Sequence, residues 1–170
     1  MHGGTRRHSQ IAVNIITSLA TAARGTGCTV FNGDFKIQPT DDAVYYPDVS
    51  VVCITEDGST VVTRSPCLVV EVTSRSTVRV DRGEKVEQYC RSPSLRCYLI
   101  VDQNRKRVTW YRRGAGDAWE RTDVEGDGAI DLPCPRARLT LDEIYEAVSL
   151  PPLGVGEPEL DEETGDYVIR

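Results

Sequence analysis

Hydrophobic positions along this chain switch between helical and strand spacing, and the switches predict its elements. From Thr5 to Arg24, Ile11, Ile15, Ile16, Leu19 and Ala22-Ala23 fall near helical spacing, so the segment reads as an amphipathic helix that Gly25 and Gly27 end. Cys28 to Gln38 reads as one strand, with Val30, Asn32, Asp34 and Lys36 on one face, and Pro39-Thr40-Asp41-Asp42 as the turn after it. Two apolar runs follow, Tyr45 to Val52 and Cys67 to Ser74, separated by the Glu56-Asp57-Gly58-Ser59 turn. A helix is predicted from about Val78 to Arg91, with Ser76 or Thr77 as its N-cap and Ser92-Pro93-Ser94 as its break. Arg96 to Asp102 and Arg107 to Arg112 then read as a hairpin around a polar connection. Trp119 to Val124 and Ala129 to Leu132 read as short strands, and Thr140 opens a short helix. The order is that of an α/β domain with a mixed central sheet.

Two acids interrupt this pattern where it is most apolar. Asp48 stands in Tyr46-Pro47-Asp48-Val49-Ser50-Val51-Val52, and Glu71 in Leu68-Val69-Val70-Glu71-Val72-Thr73-Ser74. A charge in an apolar strand is costly without a partner, and a divalent cation can serve two carboxylates at once. If the two strands are neighbours, both acids reach one coordination sphere. Their hard oxygens suit Mg²⁺ or Mn²⁺, with the Val72 backbone carbonyl as a further ligand. On the following helix, Asp81, Lys85 and Gln88-Tyr89 recur at one-face spacing, and the intervening loop lets Lys85 point toward the pair. Two carboxylates and an ammonium at one point are the chemistry of metal-dependent phosphodiester hydrolysis. Taken singly, each residue has an ordinary reading: a strand-entry turn at Asp48, a solvated helix position at Lys85, a core aromatic at Tyr89, a surface site at His8. Order and spacing together carry the weight.

Composition narrows the class. The chain has 170 residues, 39% hydrophobic and 27% charged, as expected of one globular domain over residues 1–150, followed by an acidic tail over 151–170. No apolar run is long enough to span a bilayer, and the N-terminus lacks the apolar stretch of a secretory signal. The net charge of −6 is uneven: residues 141–170 carry −8 and residues 1–140 carry +2, so the acidic total does not exclude a nucleic-acid partner. The six cysteines include no closely spaced pair, and Cys53 and Cys67 lie in apolar runs. They read as buried free thiols, which points to the cytoplasm. With only His2 and His8 present, a zinc site is not expected. The segment beyond Pro151-Pro152 is expected to lack regular structure.

These segments, with Asp81-Arg82-Gly83-Glu84-Lys85, Tyr89 and Tyr98-Leu99-Ile100-Val101-Asp102, resemble the Uma-two family of the PD-(D/E)XK nuclease superfamily. The resemblance runs from about His8 to Asp102 and more weakly to the Thr140 helix. It implies the PD-(D/E)XK (restriction-endonuclease-like) fold, a mixed central sheet flanked by helices. It also implies a Mg²⁺-dependent endonuclease acting on duplex DNA, with Asp48 and Glu71 as metal ligands and Lys85 as the catalytic cation. The superfamily's usual lysine position is Thr73 here; in the resembled family the lysine comes from the following helix, where Lys85 lies. His8 matches a histidine common near the start of the first helix, and Thr73, Asp81, Gln88 and Tyr89 surround the implied site. The chain departs from the family pattern in three ways. It has fewer residues before the first helix, Ser92-Pro93-Ser94-Leu95 replaces a usual Gly-Val turn, and Cys97 and Leu99 stand where Glu and Trp are common. A homodimer would give two centres for the two strands of a duplex. The competing expectations are a catalytically silent nuclease-fold module that binds nucleic acid or supports assembly, and a carbohydrate or nucleotide hydrolase, which would leave Lys85 without a role.

Overall fold

In this computed structural model the described residues are 4–73, 83–152, 159–160 and 167–168. Helix α1 (Arg6–Ala23) buries Ile11, Ile15, Leu19 and Ala23, a stripe four residues apart. Thr5 caps its start by accepting from the His8 N–H at 3.1 Å. Its end needs left-handed backbone at Gly25, φ 74°, which glycine adopts without a Cβ clash.

A six-stranded sheet carries the domain. Its strands are β1 (Thr29–Asn32), β4 (Val49–Val52), β6 (Pro66–Thr73), β7 (Cys97–Asp102), β8 (Arg107–Arg113) and β9 (Trp119–Glu125), in spatial order β1-β4-β6-β7-β8-β9. Only β6 and β7 pair in parallel; every other pairing in this sheet is antiparallel. A parallel pair needs a crossover, and α2 (Glu84–Cys90) lies on it. All eight residues of β6 are buried, as a central strand covered on both faces must be. Val70 and Val72 face the α1 side with Val49, Val51, Leu99 and Val101. Val69 faces the other side with Ile37, Tyr89, Leu95, Tyr98 and Ile100.

Smaller units complete the layers. A three-stranded sheet of β3 (Ala43–Tyr45), β2 (Lys36–Thr40) and β5 (Val62–Thr63) stands beside α2. The hairpin β10 (Ala129–Pro133) and β11 (Arg136–Thr140) leads into α3 (Leu141–Ile144), whose capping box joins Thr140 and Glu143 reciprocally. Asn14 of α1 donates to the Ile144 carbonyl at 2.9 Å and the Glu146 carbonyl at 2.8 Å, locking α3 onto the long helix.

Several expectations change. Cys28 to Gln38 forms two strands: after Asn32 the chain turns at Gly33-Asp34, and Asn32 accepts from the Asp34 N–H at 3.2 Å. Asn is a favourable turn former, and its side chain replaces a strand bond here. The described part of the second helix starts at Glu84, and its proposed caps at Ser76 or Thr77 lie outside the described residues. In the tail, β12 (Glu159–Leu160) and β13 (Tyr167–Val168) pair antiparallel, where no regular structure was expected.

The thiol reading is corrected most. Cys28 bonds Cys53, and Cys67 bonds Cys134. The pairing β1–β4 sets Thr29 against Val52, which brings the flanking Cys28 and Cys53 together. That proximity comes from strand register and leaves no trace in linear spacing. Cys90 and Cys97 are free, and burial pushes their thiols up to about 11 and about 12. The ground for expecting a reducing compartment therefore falls. Among the described residues no helix is long and apolar enough to cross a membrane.

Candidate active site

The candidate site lies where β4 begins and β6 ends. Val49 stands opposite Val70, so the residue ahead of β4 arrives beside Glu71. Pro47 cannot donate to the ladder, and Asp48 supplies a bond of its own: its Oδ2 accepts from the Val72 N–H at 2.7 Å. The N–H and C=O of one strand residue leave the same edge, so the Val72 carbonyl faces the same region.

His8 meets these oxygens from the start of α1. Its Nε2 lies 3.1 Å from Asp48 Oδ1, both side chains being 22% exposed. Gly4 makes room for the ring, since a Cβ there would stand 2.8 Å from His8 Nδ1. The Asp48 hydrogen bond raises the His8 pKa above 6.5 against the opposing effect of burial, and the charges of Asp48 and Glu71 add to the rise. Three tethers fix this corner: Thr5 Oγ1 to Gln103 Oε1 at 2.5 Å, Arg7 Nη2 to Asn104 Oδ1 at 2.9 Å, and Tyr145 OH to the Asp102 carbonyl at 2.6 Å.

A raised histidine pKa has a defined sign in stability. The His8–Asp48 attraction contributes fully below the unfolded pKa of 6.5 and is lost as pH rises through the higher folded value. In metal-free protein we expect stability to fall from pH 6.5 upward, and His8→Gln to flatten that slope. Urea unfolding at several pH values checks it; equal slopes for both proteins would contradict the pairing.

Glu71 is approached from the opposite face. Its side chain is only 6% exposed, and Lys85 Nζ lies 3.0 Å from its Oε1. Tyr89 donates to the same oxygen at 3.4 Å. Lys85 and Tyr89 are four apart on α2, so one helical stripe delivers both. Tyr45 of β3 closes the group: its hydroxyl donates to Glu84 Oε1 at 2.8 Å, and Lys85 Nζ lies 5.6 Å from its ring centroid. Burial and the Glu84 carboxylate hold the Tyr45 hydroxyl protonated well above its ordinary range.

The structure thus brings Asp48, His8 and Val72 into one contact set, and Glu71, Lys85 and Tyr89 into an adjoining one. Thr73 donates to the Val101 carbonyl at 3.2 Å, which occupies its hydroxyl in the sheet. Gln88 accepts from Thr40 at 2.6 Å and ties α2 to β2. Asp81 lies outside the described residues. Tyr45 and Glu84 escaped the sequence reading because the turn that brings β3 onto α2 has no periodic signal; only the nearness of Tyr45 to Pro47-Asp48 hinted at it.

The donor chemistry suits a hard cation. Asp48 and Glu71 offer carboxylate oxygens and Val72 a carbonyl, and each carboxylate already holds a basic side chain of the protein, the His8 imidazole and the Lys85 ammonium. Among the described residues no three histidine, cysteine or carboxylate side chains form a ready-made ligand cluster. A bound ion would therefore compete with His8 and Lys85.

The sequence model of the Uma2 family, described as "Putative restriction endonuclease", matches residues 1–142. The uncharacterized protein slr1290 of Synechocystis sp. is 34% identical over 151 residues, covering 88% of this chain and 80% of that protein. A second uncharacterized Synechocystis protein, sll1609, is 27% identical over 131 residues, covering 75% and 74%. Among solved structures, "a putative nuclease belonging to DUF820" from Anabaena variabilis superposes with a TM-score of 0.68 at 16% identity, over 85% of this chain and 82% of the other. At that identity the likeness establishes the fold, which is restriction-endonuclease-like.

Proposed function

Because the chain belongs to the Uma2 family of restriction-endonuclease-like proteins, we propose that it is a metal-dependent endonuclease that hydrolyses phosphodiester bonds of duplex DNA. The observation that carries this reading is the buried Glu71–Lys85 contact beside Asp48, on a chain of nuclease fold. Asp48, Glu71 and the Val72 carbonyl would hold Mg²⁺ or Mn²⁺, which when bound polarises the scissile phosphate.

The chain's own groups divide the remaining work. Lys85 is held by Glu71, whose same oxygen also accepts from Tyr89, so the ammonium is fixed in direction before substrate arrives. Such a preorganised ammonium stabilises charge building on the phosphorus oxygens. The Tyr45 ring, anchored by Glu84, lies beside the Lys85 ammonium, and the low exposure of Glu71 keeps water from weakening the field. His8 holds Asp48 in place. A homodimer, with one centre for each DNA strand, completes the proposal.

The pairing of both carboxylates with basic side chains of the protein favours a second reading, in which these contacts only support a silent module. Adding millimolar Mg²⁺ or Mn²⁺ separates the two. The nuclease reading expects stabilisation of about 1.4 kcal/mol when free metal is about ten times Kd, together with nicking of supercoiled plasmid that a chelator stops. An unchanged melting temperature with no nicking would leave the silent module.

A further inference from the structure

Four cysteines that the site does not use converge at the opposite ends of the same strands. Cys53 follows β4 whereas Asp48 precedes it, a separation of about 16 Å at roughly 3.3 Å per residue. Likewise Cys67 lies near the start of β6 and Glu71 near its end. Cys28 and Cys134 join them from the entry to β1 and the turn between β10 and β11. The two disulfides touch: Cys53 Sγ lies 3.3 Å from Cys67 Sγ. All four residues pack against the core cluster on the α1 side. Four sulfurs from four chain segments therefore make one group.

We propose that these four cysteines form a second site, a tetrathiolate that takes one zinc-class divalent cation once both disulfides are reduced. Each disulfide takes two electrons and two protons from a dithiol reductant, which is itself oxidised to a disulfide. The resulting thiols lose four protons as four sulfur–metal bonds form. Tetrahedral zinc sits about 2.3 Å from each thiolate, which sets sulfurs about 3.8 Å apart. The contact between Cys53 and Cys67 is already close to that spacing, and reduction releases the two bonded pairs to widen toward it. Freed thiolates would crowd like charges in a largely apolar setting, and a soft divalent ion is the partner that such ligands select. While the disulfides are closed no sulfur is a ligand.

Cobalt(II) is the probe for the test, with full-length chain reduced by a dithiol and then transferred to reductant-free anaerobic buffer. The wild type is expected to bind one cobalt with an intense thiolate-to-cobalt charge-transfer band, which equimolar zinc bleaches. The band should be lost in the Cys67→Ser, Cys134→Ser double variant. It should persist in Cys97→Ser, which removes a thiol outside the cluster, and in Asp48→Asn, which alters only the carboxylate site. Reduced wild type without the band overturns the proposal, whether or not it keeps its fold, as does a band that survives in the double variant. Neither outcome bears on the nuclease reading, because the cluster shares no residue with it.

Discussion

Asp48→Asn is expected to lower metal-dependent nicking of duplex DNA by about a thousandfold or more, since a divalent ion supplies several kcal/mol of charge stabilisation. The substitution is nearly isosteric. The remaining amide oxygen can still accept the Val72 N–H, so the turn into β4 keeps its anchor. What disappears is the charge facing His8 and the hard anionic ligand. At a pH above the folded His8 pKa, where that attraction is already lost, stability should therefore change little while activity collapses, and circular dichroism melts beside plasmid nicking test both halves. Nicking at the wild-type rate would remove Asp48 from the chemistry and the proposed site with it.

The second large effect concerns folding. Lys85→Met keeps the stem of the side chain but removes the ammonium 3.0 Å from a carboxylate that is 6% exposed. Breaking a buried pair from one side costs about 3–5 kcal/mol, because the remaining charge stays desolvated. Tyr89 still donates to Glu71 and offsets part of the loss, so about 3 kcal/mol is expected in metal-free protein. Adding Glu71→Gln to Lys85→Met should recover most of it, since the pair can then be lost together. Urea denaturation of the two single variants and the double gives the cycle. Additive losses would mean that the two side chains are not coupled, and the preorganised lysine would lose its support.

Much of this protein was legible in its linear order. The stripe Ile11, Ile15, Leu19 foretold α1, and the apolar run around Glu71 foretold the strand β6. Both signals are local, because side-chain period and burial are properties of one segment. The stripe Lys85 and Tyr89 was equally local, and the structure turns it onto Glu71. Membership of a nuclease family was also legible, since the apolar frames around Asp48 and Glu71 and their order are linear features.

Contacts between distant segments were not. Nothing in the spacing of Cys28 and Cys53, or of Cys67 and Cys134, announces a bond; strand register and a returning hairpin create both. The meeting of Tyr45 with Glu84 depends on how a small side sheet leans on α2. Resemblance pointed to His8 as a residue around the site but not to its grip on Asp48, and the 3.1 Å contact follows from α1 ending its first turn over the mouth of β4. Sequence by itself determined which segments are buried and where charge is forced among them, because hydrophobic period acts within a segment. Only the tertiary structure decided which charges meet, because a partner several strands away is chosen by register, crossover and packing, none of which has a local signature.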